Sequence, residues 1–174
     1  MVIKYTKFNI VSLKGKIHKN NDAMSKSEQA LSLFRKGYNC AQAILVTFSN
    51  EAGVDAGMAF SIASGLGGGV GQTQNICGAI NAGAIVLSMR LGRYQPEDKE
   101  RKNDVAYLVG QFVSECRKEL GSANCHELLR IDINNLRLKK QAADSGHLAS
   151  VCDNAVSKSA EILERFLTEN PIEG

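Results

Sequence analysis

Between Ser25 and Asn170 the chain holds a single proline, Pro96, and no run in which apolar and polar residues alternate with period two. A half-buried strand needs that alternation, and proline is the residue that most strongly interrupts a helix. What remains is a series of helix-length segments separated by glycine, asparagine and aspartate. The spacing predicts helices over 25–39, 40–53, 55–69, 77–92, 96–121, 124–131 and 147–170. Ser25 and Glu28 stand at capping-box spacing, Asp55 is placed as an N-cap, and Gly121 follows Arg117 and Lys118 as a helix end should. The segment from Cys77 to Gly92 is apolar nearly all round and rich in Gly and Ala, which marks a buried central helix. The fold class expected is all-α, one compact multi-helix domain over residues 25–170.

At 174 residues, 44% apolar and 22% charged, the chain suits one soluble globular domain with a real core. The formal charge of +3 divides unevenly: the first 24 residues carry +4, with Lys4, Lys7, Lys14, Lys16 and Lys19 against Asp22 alone, and the remainder carries −1. Residues 1–24 read as a basic N-terminal arm or extension, and the near-neutral body argues against nucleic acid as a partner. The most apolar run, Cys77 to Met89, is too short to span a bilayer, which takes about 20 residues. No secretory signal is visible at the start, so no membrane insertion and a cytoplasmic setting with reduced thiols are expected.

The stretch GLGGGVGQTQNICGAINAG, residues 65–83, combines a glycine run with Cys77. It is no dinucleotide fingerprint, because the third glycine position falls on Val70 or Gln72 and no strand precedes it. It is no P-loop either, lacking Gly-Lys-Ser or Gly-Lys-Thr. Small residues four apart, Gly78 with Ala82 and Ala79 with Gly83, allow a close helix contact. Gly65 to Gly71 can adopt positive φ and wrap around something small, with exposed N–H groups favouring a negative atom. Gly67, Gly68, Gly69 and Gly78 are the candidate cofactor-contacting residues.

The cysteines are Cys40, Cys77, Cys116, Cys125 and Cys152, and none forms a Cys-x-x-Cys pair. Cys40 follows Asn39, Cys125 follows Asn124, and Cys77 comes two residues after Asn75, each at an expected helix start. A helix N-terminus lowers a thiol pKa and favours the thiolate, the form that ligates metal or attacks a disulfide. Cys152 lies further into its helix, and Cys116 lies near a helix C-terminus, the wrong dipole end. No nucleophile–base–acid spacing suggests a hydrolase, and an enzymatic role stays open. Of the scattered histidines, only His126 beside Cys125 is a neighbour of the thiols in sequence.

These residues together resemble a bacterial family of redox-active proteins named for four cysteines, one of them in a Cys-Gly-Ala-x-x-Gly motif. The words that carry the resemblance are GYNCAQAIL with Cys40, GLGGGVG, CGAINA with Cys77, GSANCHELL with Cys125 and CDNAVSKSAEIL with Cys152. The chain departs from the pattern at Ala82, where the motif closes on glycine, and Cys116 has no counterpart. The resemblance implies a helical redox or electron-transfer protein with Cys40, Cys77, Cys125 and Cys152 as metal ligands. A similar domain occurs in split-Soret cytochrome c, where it is associated with an iron–sulfur centre, so a [2Fe–2S] or [4Fe–4S] cluster is the first cofactor expected. A redox partner protein is implied, and likeness to a dimeric cytochrome suggests a homodimer. The alternatives are a metal-free thiol–disulfide protein and a helical protein-binding module, either zinc-stabilised or metal-free.

Overall fold

Helix starts in this chain are set by short polar side chains, and the structure places them closely. The computed structural model describes residues 24–92 and 94–171. Among these residues are nine helices: α1 (Lys26–Arg35), α2 (Cys40–Thr47), α3 (Ser49–Ala52), α4 (Ala56–Ala63), α5 (Gly78–Leu91), α6 (Lys99–Leu120), α7 (Cys125–Leu129), α8 (Leu136–Asp144) and α9 (His147–Glu169). Ser25 with Glu28, and Asn39 with Gln42, form complete capping boxes on α1 and α2. Each satisfies amide donors that the first turn of a helix leaves unpaired. The only β pairing among the described residues is one isolated antiparallel bridge, Ile76 with Asn124. The all-α expectation holds.

The structure departs from the sequence reading in several places, and the helices expected over 25–39 and 55–69 end early, at Arg35 and Ala63. Residues 40–53 form two helices rather than one, breaking at Phe48, which ends α2 and starts α3. The helix expected from Pro96 begins at Lys99, because Asp98 takes the cap by accepting from the Arg101 amide. The helix α8 was not anticipated at all. Asn135 caps it through the Arg137 and Leu138 amides. The basic arm expected over residues 1–24 lies, apart from Met24, outside the described residues.

The core is built on α5, which packs against α2, α6 and α9, while α1 lies along α9. Ile44, Leu45, Ile80, Val86, Leu87, Phe112, Val156 and Leu163 are fully buried together. Gly83 is the tightest point of this packing: a Cβ there would lie 2.4 Å from Cζ of Phe112 on α6. The small residues of α5 therefore do serve helix contact. Ala82, where the motif would have glycine, is fully buried, one turn on from Gly78 and on the same face of the helix. A smaller cluster of Cys125, Leu129 and Ile133, flanked by Leu148, Val151 and Cys152, lies beside the main core. No described helix is long and apolar enough to cross a membrane.

Candidate functional site: a cavity lined by four cysteines

Cys40, Cys77, Cys125 and Cys152 come from α2, the residue before α5, α7 and α9, and all line one cavity of about 420 Å³. Cys116 does not line it; that thiol is fully buried beside Ser159 in the main core.

Each thiol is fixed by a local device. Cys40 is the first residue of α2, held there by Asn39. The Asn39 side chain also reaches across to the end of α4, its Nδ2 donating to the carbonyls of Ala63 and Ser64 at 3.2 Å. Cys77 is the N-cap of α5. Its amide donates to the Ala123 carbonyl at 2.8 Å, and the Cys125 amide donates to the Asn75 carbonyl at 2.7 Å. That pair of bonds clamps the strand-like segment before α5 to the start of α7, so Cys77 and Cys125 are set by one element. Cys152 sits in the second turn of α9, and Arg35 at the end of α1 binds its neighbour Asp153 through Nε and a terminal nitrogen.

The glycine run has a particular backbone conformation. Gly68, Gly69, Val70, Gly71 and Gln72 all have φ between 62° and 74°. Five successive residues in the left-handed region make a turn that L-residues resist at roughly 1–2 kcal/mol each, which is why glycine fills three of the five positions. The turn folds on itself: the amides of Val70 to Asn75 donate to carbonyls between Gly65 and Val70. Most of the N–H groups expected to face a ligand are therefore consumed inside the loop. Gly68 is the exception, since its N–H points to the Cys40 sulfur and the residue lines the cavity. Gly78 lies against Cys40 as well, where a Cβ would come 2.6 Å from Sγ. Gly67 packs against the Asn39 side chain and Gly69 against the backbone of Gln74 and Asn75; neither lines the cavity.

Electrostatically the thiols divide. The Cys40 thiol is pulled down to about 6, chiefly because Cys77 donates a hydrogen bond to its thiolate. Burial opposes this, and the amides of Gly68, Ala41 and Ala79 assist it. Cys77 is pushed well up by the same Cys40 thiolate and by burial. Burial, together with the Cys40 charge, raises Cys125 to about 11 and Cys152 to about 12. At neutral pH the pocket thus holds one thiolate and three thiols. Cys125, although at a helix start as expected, does not gain a lowered pKa from it, because burial outweighs the short helix.

The donor set fits a group that wants soft ligands: four thiols, from four helical segments, around one largely apolar cavity. Among the described residues, however, no three His, Cys, Asp or Glu side chains are drawn together closely enough to hold a metal ion as they stand. His126 is exposed, outside the cavity lining. Two residues that sequence reasoning passed over also shape the site. Gln74 is buried and holds the segment after α7, its Nε2 donating to Ile131 O at 2.8 Å and its Oε1 accepting from the Ile133 amide at 3.0 Å. The His147 ring meets the Leu129 carbonyl at 2.8 Å, tying the start of α9 to the end of α7.

A protein-family model described as "Putative redox-active protein (C_GCAxxG_C_C)" matches residues 38–166, the greater part of the chain. The protein belongs to that family. Its matched span contains all four cavity cysteines and the whole glycine run. No curated protein and no solved structure matched the chain.

Proposed function

We propose that the chain is a redox protein whose four cavity cysteines hold an iron–sulfur cluster. The observation that supports this most is the convergence of Cys40, Cys77, Cys125 and Cys152, and not Cys116, on one cavity. A two-cysteine mechanism would leave Cys125 and Cys152 without a part. When bound, the cluster would supply one-electron transfer. The protein's own contribution is to present the sulfurs and keep water from them: apolar walls surround the thiols, and the Gly68 amide donates toward Cys40. Without a cation the hydrogen bond to Cys40 and burial raise Cys77, and burial raises Cys125 and Cys152; a cation among them would reverse that preference. Ligation takes the thiolate form of each cysteine, so metal binding would release protons. Electrons would pass to a partner protein.

The hydrogen bond between Cys40 and Cys77 favours a second reading, a dithiol that reduces a disulfide. The Cys40 thiolate would attack one sulfur of the partner's disulfide, forming a mixed disulfide and expelling the other as thiolate. Cys77 would then lose its proton and displace the second, leaving a Cys40–Cys77 disulfide and two reduced thiols on the partner. Anaerobic purification with iron, zinc and acid-labile sulfide per chain separates these readings. Brown protein whose colour is lost in Cys77→Ser and Cys152→Ser but kept in Cys116→Ser supports the cluster. Colourless, metal-free protein in which Cys152→Ser leaves disulfide reduction intact supports the dithiol, and stoichiometric zinc without redox behaviour overturns both.

A further inference from the structure

The cavity extends well past its sulfur atoms. Leu148 and Val151 of α9, Leu129 of α7 and Ile133 after it form apolar wall, and the volume of about 420 Å³ lies in the range of small-molecule pockets. Only one lining side chain besides the thiols has polar atoms to offer. Asn39 is committed, its oxygen to the Gln42 amide and its nitrogen to the end of α4. Lys139 of α8 is the remaining one, half-buried, and the sole charged side chain in the lining apart from the thiols. Among the described residues it forms no ion pair; its ammonium makes a long 3.5 Å contact with Oε1 of Gln72. An ammonium has three donors, so two are left for a ligand. An inorganic cluster would satisfy sulfur, but it would offer nothing to the apolar wall or to this cation.

We propose that the cavity binds a small organic anion, its single negative group received by Lys139 and its apolar body laid along Leu148, Val151 and Ile133 toward the thiols. The polarity of the pocket fixes the orientation. A negative end finds its one cationic partner in the lining at Lys139, while the wall toward the thiols is apolar. The inference rests on the redox reading for the ligand's purpose, as the molecule that exchanges electrons at the thiols, and on the cavity alone for its binding.

Octanoate and octylammonium, alike in chain and opposite in charge, test it on the full chain as purified, with iron and zinc measured on the same sample. Octanoate should bind with one-to-one stoichiometry by calorimetry and raise the melting temperature, while octylammonium does neither. Lys139→Gln should weaken octanoate about tenfold, the weight of one charge-assisted hydrogen bond. Ala149 lines the cavity from an exposed position, so Ala149→Trp should fill the entrance without unfolding the chain and abolish binding. Equal binding of both ions, or octanoate affinity unchanged in either variant, overturns the proposal. Metal-free protein that binds octanoate in this pattern sinks the cluster and keeps the anion site; metal-loaded protein indifferent to octanoate does the reverse.

Discussion

Gly78 and Cys40 are packed so closely that a Cβ at position 78 would lie 2.6 Å from the Cys40 sulfur and 2.7 Å from the Leu66 carbonyl oxygen. The glycine of the Cys-Gly-Ala word is thus the space in which the first thiol sits. Gly78→Ala must push either Cys40 or the loop at Leu66 away, at a cost of about 1–3 kcal/mol. Gly83→Ala is the comparison, since its Cβ would meet the Phe112 ring at 2.4 Å, in the core between α5 and α6. Both variants should unfold at lower urea. Only Gly78→Ala should also change the alkylation rate of Cys40. If Gly83→Ala disturbs Cys40 as strongly, the two glycines act through the whole helix and not through local contact.

Cys40 should be the first cysteine to react with iodoacetamide in metal-free protein, with a rate that rises through about pH 6. Its folded pKa is depressed below the ordinary thiol value near 9.0. Between the two values the unfolded chain carries a proton that the native one does not, so this group's stabilisation grows from pH 6 toward 9 and is lost on acidification through 6. The raised Cys77 works in the opposite direction above pH 9. Urea midpoints at pH 6 and pH 8 should therefore differ in the wild type, and Cys40→Ser should remove most of the difference. An alkylation midpoint above 8 would mean the hydrogen bond from Cys77 does not hold in solution.

Asn39 holds three things at once: the α2 cap, the end of α4 and the floor beneath Gly67. Asn39→Ala loses the cap and should cost about 0.5–2 kcal/mol. Asn39→Asp keeps a cap acceptor, yet it loses the donors to Ala63 and Ser64 and sets a negative charge beside the Cys40 thiolate. It should fold nearly as well as the wild type on the α2 side and raise the Cys40 alkylation midpoint. A midpoint that falls instead would remove Asn39 from the electrostatics of the site.

Much of this was legible locally. The caps at Ser25, Asn39, Asp55 and Asn124 can be read one by one, since each is a side chain bonding amides two or three residues on. Cys116 could be set aside from its position near a helix C-terminus, and it does lie outside the cavity. The helix-start argument did not reach Cys152, which only the family resemblance grouped with the other three; in the fold it lines the cavity from α9 beside Leu148, Val151 and Ala155. What could not be read was long-range. The clamp from Asn75 and Cys77 to Ala123 and Cys125 joins segments far apart in sequence, and no local pattern announces it. The helix α8 did carry a signal, Asn135 before a run of good helix formers with a marked amphipathic pattern, and the sequence reading passed over it although it buries Ala142.

The positive φ of the glycine run was legible, and Gly68, Gly69 and Gly71 adopt it; hidden was that the turn spends most of its N–H groups on its own carbonyls. A paired substitution measures what the turn costs. Gly69 has φ +74°, and a Cβ there would lie 2.7 Å from the Asn75 amide nitrogen and 2.8 Å from the Gln74 backbone. Gly69→Ala should therefore lose the roughly 1–2 kcal/mol of left-handed strain and more for the contact with backbone, which cannot move aside. Val70 has φ +65° and is partly exposed, so its β-branched side chain bears the strain with little burial in return. Val70→Gly removes that strain and adds unfolded-state freedom, worth about 0.5–1 kcal/mol the other way. The expected balance is unchanged or slightly higher stability, with the Cys40 alkylation rate preserved. Urea denaturation of the two variants decides it: opposite displacements support the turn, whereas a clear loss in Val70→Gly would mean that the valine side chain, and not the glycines' conformation, holds this loop against the thiol site.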